Sequence, residues 1–199
     1  MTKKIGEKAV GRPREFNEEQ VLSAVIDVFW SKGYEAASLT DLCQATGLHK
    51  GSLYQAFGDK RQLFLTALEH YSEREFNQVM TALSDSATPL QNLRAVIEKI
   101  LYVSADEKGC LAVNSMAELA PHDEVVKGAL QKFGIKRLQA LTELIGQAQQ
   151  AGEIRPELKP DKLAMQAMFS ITGALTITKG FLPKDLVLEV LNDLISSWC

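Results

Sequence analysis

The chain has only three cysteines, Cys43, Cys110 and Cys199, and only three histidines, His49, His70 and His122. Neither set has the spacing of a zinc site, and no histidine sits in a nucleophile or metal motif. Thiols so few and so widely spaced fit a reducing, cytoplasmic setting without structural disulfides. No run of 18 apolar residues occurs, which argues against a membrane span. The basic amino terminus lacks an apolar stretch and a small-residue cleavage site, so no secretory signal is read there. The glycines Gly11, Gly33, Gly47 and Gly51 form no phosphate-cradling loop. No acid–base residues converge in a catalytic pattern, so neither an enzyme nor a cofactor is expected. Strand patterns, internal repeats and low-complexity tracts are also missing.

Hydrophobic residues make up 46% of the 199 residues, enough for a sizeable core. The net charge of −3 is unevenly spread. Residues 1–15 carry Lys3, Lys4, Lys8, Arg12 and Arg14 against Glu7 and Glu15, a net of +3, whereas residues 61–199 carry 14 basic and 17 acidic side chains. A basic arm on an acidic body suits a protein that meets phosphates at one end. It does not suit one that coats nucleic acid indiscriminately.

The periodicity predicts an all-α protein of about nine helices. Asn17 with Gln20 is a capping-box pattern ahead of the stripe Val21, Leu22, Val25, Val28 and Phe29, which Gly33 ends. Ser38 can cap a short helix over 41–45, Gly47 makes a turn, and a second short helix follows over 49–57. That second helix buries Leu53 and Phe57 and leaves Lys50, Ser52, Tyr54 and Gln55 on its other face. Asp59 caps a long helix through Phe64, Leu65, Leu68, Tyr71 and Phe76. Further helices begin at Pro89, Cys110, Asp123, Asp161 and Pro183. We expect a flexible basic arm (1–15), a helix-turn-helix unit (16–62) and a larger bundle (63–199).

Two short helices about a tight turn, with a polar face on the second, are the layout of a helix-turn-helix that places its second helix in a DNA major groove. Lys50 and Gln55 suit base contacts, because Lys reaches guanine acceptors and Gln pairs bidentately with adenine. Gly51 permits close backbone approach, and His49 opens the same helix. Ser38, Thr40, Ser52, Tyr54 and Lys60 suit phosphate contacts. Ser38 and Thr40 suit helix capping equally, and Tyr54 could instead pack against the first helix. Arg12 and Arg14 either enter a minor groove or remain a solvated arm.

Residues 16–64 closely resemble the amino-terminal domain of the TetR family of bacterial transcriptional regulators. The resemblance rests on Phe29-Trp30-Ser31-Lys32-Gly33-Tyr34, Ser38-Leu39-Thr40, Gly47-Leu48-His49-Lys50-Gly51-Ser52-Leu53-Tyr54, then Phe57, Lys60 and Leu63-Phe64. The preceding Gly11-Arg12-Pro13-Arg14 is also common in that family. Elsewhere the likeness is one of helix count and length, plus a Gly109-Cys110-Leu111 start to the sixth helix. It implies a homodimer on near-palindromic double-stranded operator DNA, with a small molecule held in the carboxy-terminal bundle altering the spacing of the two heads. Because a dimer on promoter DNA blocks polymerase without any activation surface, a repressor released by that molecule is expected before an activator. Many members carry two aromatic or histidine residues after the tyrosine, where this chain has Gln55 and Ala56, so the operator is its own. A helical module without DNA binding is the competing reading.

The effector candidates are Leu68, Tyr71, Ile100, Tyr102, Val103, Cys110, Met116, Phe133, Met165, Met168, Phe169 and Thr172, apolar enough to suggest an apolar effector. Each suits core packing as well. Cys110 is placed at a helix start, where aligned amides and Lys108 favour a thiolate. Some family members sense electrophiles or oxidants through such a cysteine. Two apolar faces, Ala164, Ala167, Met168, Ile171, Ala174 and Leu175, then Leu186, Val187, Val190, Leu191, Leu194 and Ile195, either complete the core of the monomer or form an intersubunit four-helix bundle, which a two-headed operator reader favours.

Overall fold

The computed structural model describes residues 16–104 and 108–199. The basic arm, with Arg12 and Arg14, lies outside the described residues. Among those described there are nine helices and no strand: α1 (Glu18–Lys32), α2 (Leu39–Thr46), α3 (Lys50–Phe57), α4 (Lys60–Met80), α5 (Pro89–Ser104), α6 (Leu111–Glu118), α7 (Glu124–Gln150), α8 (Pro160–Ile177) and α9 (Lys184–Ser196). No helix among them is long and apolar enough to cross a membrane.

Helix ends follow their local chemistry. Asn17 Oδ1 accepts from the Gln20 amide, and Asp59 and Asp123 cap α4 and α7 in the same way. The reciprocal capping box forms at Ser38 and Asp41. There Ser38 Oγ accepts from the Asp41 amide at 3.1 Å, and Asp41 Oδ2 accepts from the Ser38 amide at 2.9 Å. In α1 the inward stripe runs through Ile26, with Val28 only half-buried; in α4 Phe76 is half-buried and Val79 takes the core position. These shifts follow from how each helix rolls against its neighbours, which a stripe of near-equivalent apolar positions leaves open.

α1, α2, α3 and the first turns of α4 share one core of Val25, Phe29, Leu42, Leu53, Leu63 and Phe64. Helix α4 continues out of this head into the body, where it packs against α5 and α7. On α4 and α7 a buried pair, Glu75 and Arg137, joins the two helices, with Nη2 2.5 Å from the carboxylate oxygens. At the far end Arg155 donates to the Trp198 and Ser197 carbonyls, pinning the end of α9 to the α7–α8 loop.

The expected intersubunit faces divide differently. Ala164, Ala167, Ile171, Ala174 and Leu175 of α8, and Val187, Leu191 and Ile195 of α9, are buried within the subunit. Their small or branched side chains let the two helices approach the body closely. The apolar groups left outside are Phe169, Ile177, Phe181, Leu186 and Val190.

Candidate nucleic-acid interface

The turn between α2 and α3 is held by its own residues. Gly47 takes the left-handed conformation at φ +68°, open to glycine at no steric cost. Thr46 Oγ1 donates to the Leu42 carbonyl at 2.7 Å and accepts from the Leu48 amide at 3.3 Å. One hydroxyl thus ties the end of α2 to the start of the turn. Sequence reasoning passed over Thr46, although a threonine directly before a turn glycine is a usable signal.

Leu53 and Phe57 anchor α3 in the head core, and Phe57 meets the Phe16 ring at 6.2 Å. With that face committed, His49, Lys50, Gly51, Ser52 and Gln55 are all exposed, and Tyr54 is half-buried. The structure therefore gathers six of the residues singled out for DNA onto one helix and its cap. His49 occupies the N-cap of α3 and its side chain makes no cap bond to the first-turn amides. Lys50 Nζ lies 5.7 Å from the centre of the Tyr54 ring one turn on, so both side chains share one face of α3. Nothing lies within 4 Å of where a Cβ on Gly51 would sit. No packing inside the subunit requires that glycine.

The flanking residues have intramolecular partners. Ser38 Oγ donates to Asp41 Oδ2 at 2.7 Å, so its hydroxyl serves the α2 cap, while Thr40 beside it is exposed. Lys32 Nζ reaches Asp41 at 2.6 Å, and that ammonium, with the Ser38 bonds, holds the Asp41 carboxyl well below the usual carboxylate range. Lys60 lies with Nζ 4.6 Å from the centre of the Tyr34 ring and donates to the Glu35 carbonyl at 3.3 Å.

The twelve residues singled out for an effector do not form one site. Four of them, Met116, Met165, Met168 and Phe169, line an open apolar cleft of about 900 Å³ between α6, α7 and α8, together with Leu130, Ile135 and Leu138. Lys127 and Gln131 are its polar edge. Leu68 and Phe133 line a smaller crevice of about 320 Å³ between α4 and α7. Ile100 is core. Val103 and Thr172 are half-buried outside either lining, and Tyr102 is exposed and donates to Asp185 at 3.1 Å.

Tyr71 and Cys110 are buried together, Oη 3.7 Å from Sγ. Cys110 does stand at the N-cap position of α6, without a side-chain cap bond, but the expected thiolate is not what this site favours. Burial pushes the thiol pKa up, the Glu75 carboxylate adds to this, and Arg137 only partly opposes it. Lys108 turns instead toward Asp27, at 3.8 Å, and the Trp30 ring. Burial raises the Tyr71 pKa as well.

Two family models match the chain: bacterial regulatory proteins of the tetR family over residues 21–67, and the tetracyclin repressor-like C-terminal domain over residues 89–182. The chain is similar to the HTH-type transcriptional repressor ComR of Escherichia coli (strain K12). Identity is 30% over an alignment of 169 positions that covers 79% of this chain and 77% of ComR. It is also similar to the HTH-type transcriptional repressor DhaR of Mycobacterium sp. (strain GP1), at 30% identity over 152 residues, 74% of this chain and 75% of DhaR. Among solved structures it resembles a cysteine mutant of the TetR family transcriptional regulator CifR complexed with 26-bp double-strand operator DNA. That match has a TM-score of 0.82 and 26% identity, covering 94% of this chain and all of that one. With these likenesses over both halves of a structure whose α3 presents an exposed polar face, the chain belongs to the TetR family of bacterial transcriptional regulators, DNA-binding proteins rather than enzymes.

Proposed function

We propose that the protein is a homodimeric, cytoplasmic repressor that binds a near-palindromic operator through α3 of each subunit and is released by a small apolar molecule. The observation that carries this reading is α3 itself, anchored by Leu53 and Phe57 while Lys50, Gly51, Ser52 and Gln55 are exposed to solvent. The 26-bp operator bound by CifR spans about two and a half turns of duplex at roughly 10–10.5 bp per turn, more than one recognition helix covers. A second copy of the chain supplies the second head. The apolar residues left outside on and beside α8 and α9, Phe169, Ile177, Phe181, Leu186 and Val190, are the face it would cover.

The α6–α7–α8 cleft supports the effector reading, because its lining is mainly methionine, leucine and isoleucine with a polar edge at Lys127 and Gln131. An electrophile acting at Cys110 is less well supported, since that thiol is 1% exposed and held protonated. The test is selection of binding sequences from a random duplex library, then footprinting. A protected palindrome with half-sites about 34–36 Å apart, or a multiple of that, is expected. Binding should fall steeply with salt. Uniform weak binding to all duplexes would overturn the reading.

Two substitutions on α3 refine it. Lys50→Ala and Gln55→Ala should each weaken the selected operator by about 1–3 kcal/mol and relax preference at one base pair per half-site. Gly51→Ala should act in opposite directions on two measurements. A helical alanine is favoured over glycine by about 1 kcal/mol, which should raise the melting midpoint by roughly 2–4 °C in a protein of this size. The added methyl would stand between α3 and the groove, so operator affinity should drop about tenfold, or 1.4 kcal/mol. Calorimetry with gel shifts on the same sample checks both.

A further inference from the structure

Tyr34 and Glu35 follow the end of α1, and their amides have no helical acceptor of their own. Both donate instead to one carboxylate, that of Glu118 at the last turn of α6. Tyr34 N lies 3.1 Å from Oε2 and Glu35 N lies 2.9 Å from Oε1. Successive backbone N–H groups of this kind form a concavity that favours an anion, and the charge on the acceptor strengthens each bond. Gly33 makes the seat possible. It has φ +79°, and a Cβ there would lie 3.1 Å from both carboxylate oxygens. The other side of the turn is closed from α4, by Lys60 on the Glu35 carbonyl.

The same short helix is tied to α1 near its other end. Trp30 Nε1 donates at 2.8 Å to the carbonyl of Gly109, just before the α6 cap. Helix α6 is thus a strut with both ends on the head. Its eight residues are too few to hold a helix by propensity, so its position is set by what it packs against. One side holds the head, and Met116, two residues before Glu118, faces the apolar cleft.

We infer that Glu118 is a positioning residue for DNA recognition: its carboxylate sets the α1–α2 turn, and with it the angle at which α2 and α3 meet DNA. A molecule seated against Met116 then acts on the operator by drawing that carboxylate away. This second step rests on the effector reading of the cleft; the first does not. The path is short, since Ala37 is buried and Ser38 caps α2 three residues after Glu35.

The test uses full-length Glu118→Ala and Glu118→Gln proteins. Amide exchange at Tyr34 and Glu35 should quicken at least about tenfold in the alanine variant, as two protected donors open. Affinity for the operator selected with the parent protein should fall about ten- to a hundredfold, the usual range of coupling between sites. Affinity for unrelated duplex should hold, and glutamine, keeping one acceptor oxygen, should restore part of the loss. Unchanged exchange, operator affinity within about twofold of the parent, or an equal fall on both duplexes that tracks thermal stability would each overturn the positioning role.

Ile135→Trp, which fills the cleft from α7, tests the second step. It should weaken operator binding in the parent and add nothing in the Glu118→Ala background, a non-additive cycle. Equal losses in both backgrounds would remove Glu118 from the route while leaving the cleft. No loss in the parent would overturn the cleft's control of the operator, with the positioning role still decided by the alanine variant.

Discussion

Replacing Arg137 by methionine is expected to lower the unfolding free energy by about 3–5 kcal/mol, the cost of leaving a buried charge without its main counterion. Arg137 is 6% exposed and Glu75 3% exposed, and one guanidinium nitrogen serves both carboxylate oxygens. The guanidinium also lies 4.6 Å from the centre of the Phe133 ring, so methionine loses stacking as well as charge. The pair is not stabilising in proportion to that penalty, because both ions were desolvated to form it. Replacing both, as Glu75→Leu with Arg137→Met, should therefore recover most of the loss. Urea denaturation of the two single variants and the double variant, at one protein concentration, measures the coupling. A loss below about 1 kcal/mol for Arg137→Met would mean that the Glu75 carboxylate is carried by its other interactions.

The second large effect is expected in the head. Phe64 is 2% exposed and meets Phe29 and Tyr34 edge-on, each with ring centres 5.0 Å apart. Phe64→Ala should cost about 3–5 kcal/mol through lost burial and the cavity left behind. Phe64→Leu, which keeps most of the volume, should cost less than about 1.5 kcal/mol. Because Phe64 belongs to α4 while Tyr34 belongs to the α1–α2 turn, the cavity opens at the joint between reading unit and body. Operator affinity should fall further than the stability loss alone removes folded protein. Gel shifts well below the melting midpoint separate the two. Affinity that simply follows the folded fraction would show that the joint does not depend on this ring.

Much of the reading unit could be read from residue order. The stripe from Val21 to Phe29, the breaks at Gly33 and Gly47, and the anchors Leu53 and Phe57 depend on residues within a turn or two of one another. Where order allowed two answers, the neighbours chose. Ile26 and not Val28 completes the buried face of α1. The closed capping box belongs to Ser38 and Asp41, a Ser-x-x-Asp signal that was present but assigned in part to phosphate contact. The effector candidates are the most widely dispersed set. Methionine and aromatic stripes mark apolar helix faces without saying whether a face meets core, cleft or solvent. Hence Ile100 and Tyr71 lie in the core, Tyr102 is exposed, and Met116 and Phe169 share a cleft.

Helix identity, the turn, and the residues left exposed on α3 were all written locally, because caps and 3.6-residue periodicity act over three or four positions. The carboxylate of Glu118 on amides 83 and 84 residues away, the Glu75–Arg137 pair 62 residues apart and the protonated setting of Cys110 were not. Each depends on which helices come to lie side by side. A glutamate near the end of a short helix has no local feature that distinguishes it from a solvated one. Only packing brings two unpaired amides to it, and only packing turns a cysteine at a helix start from a candidate thiolate into a buried thiol.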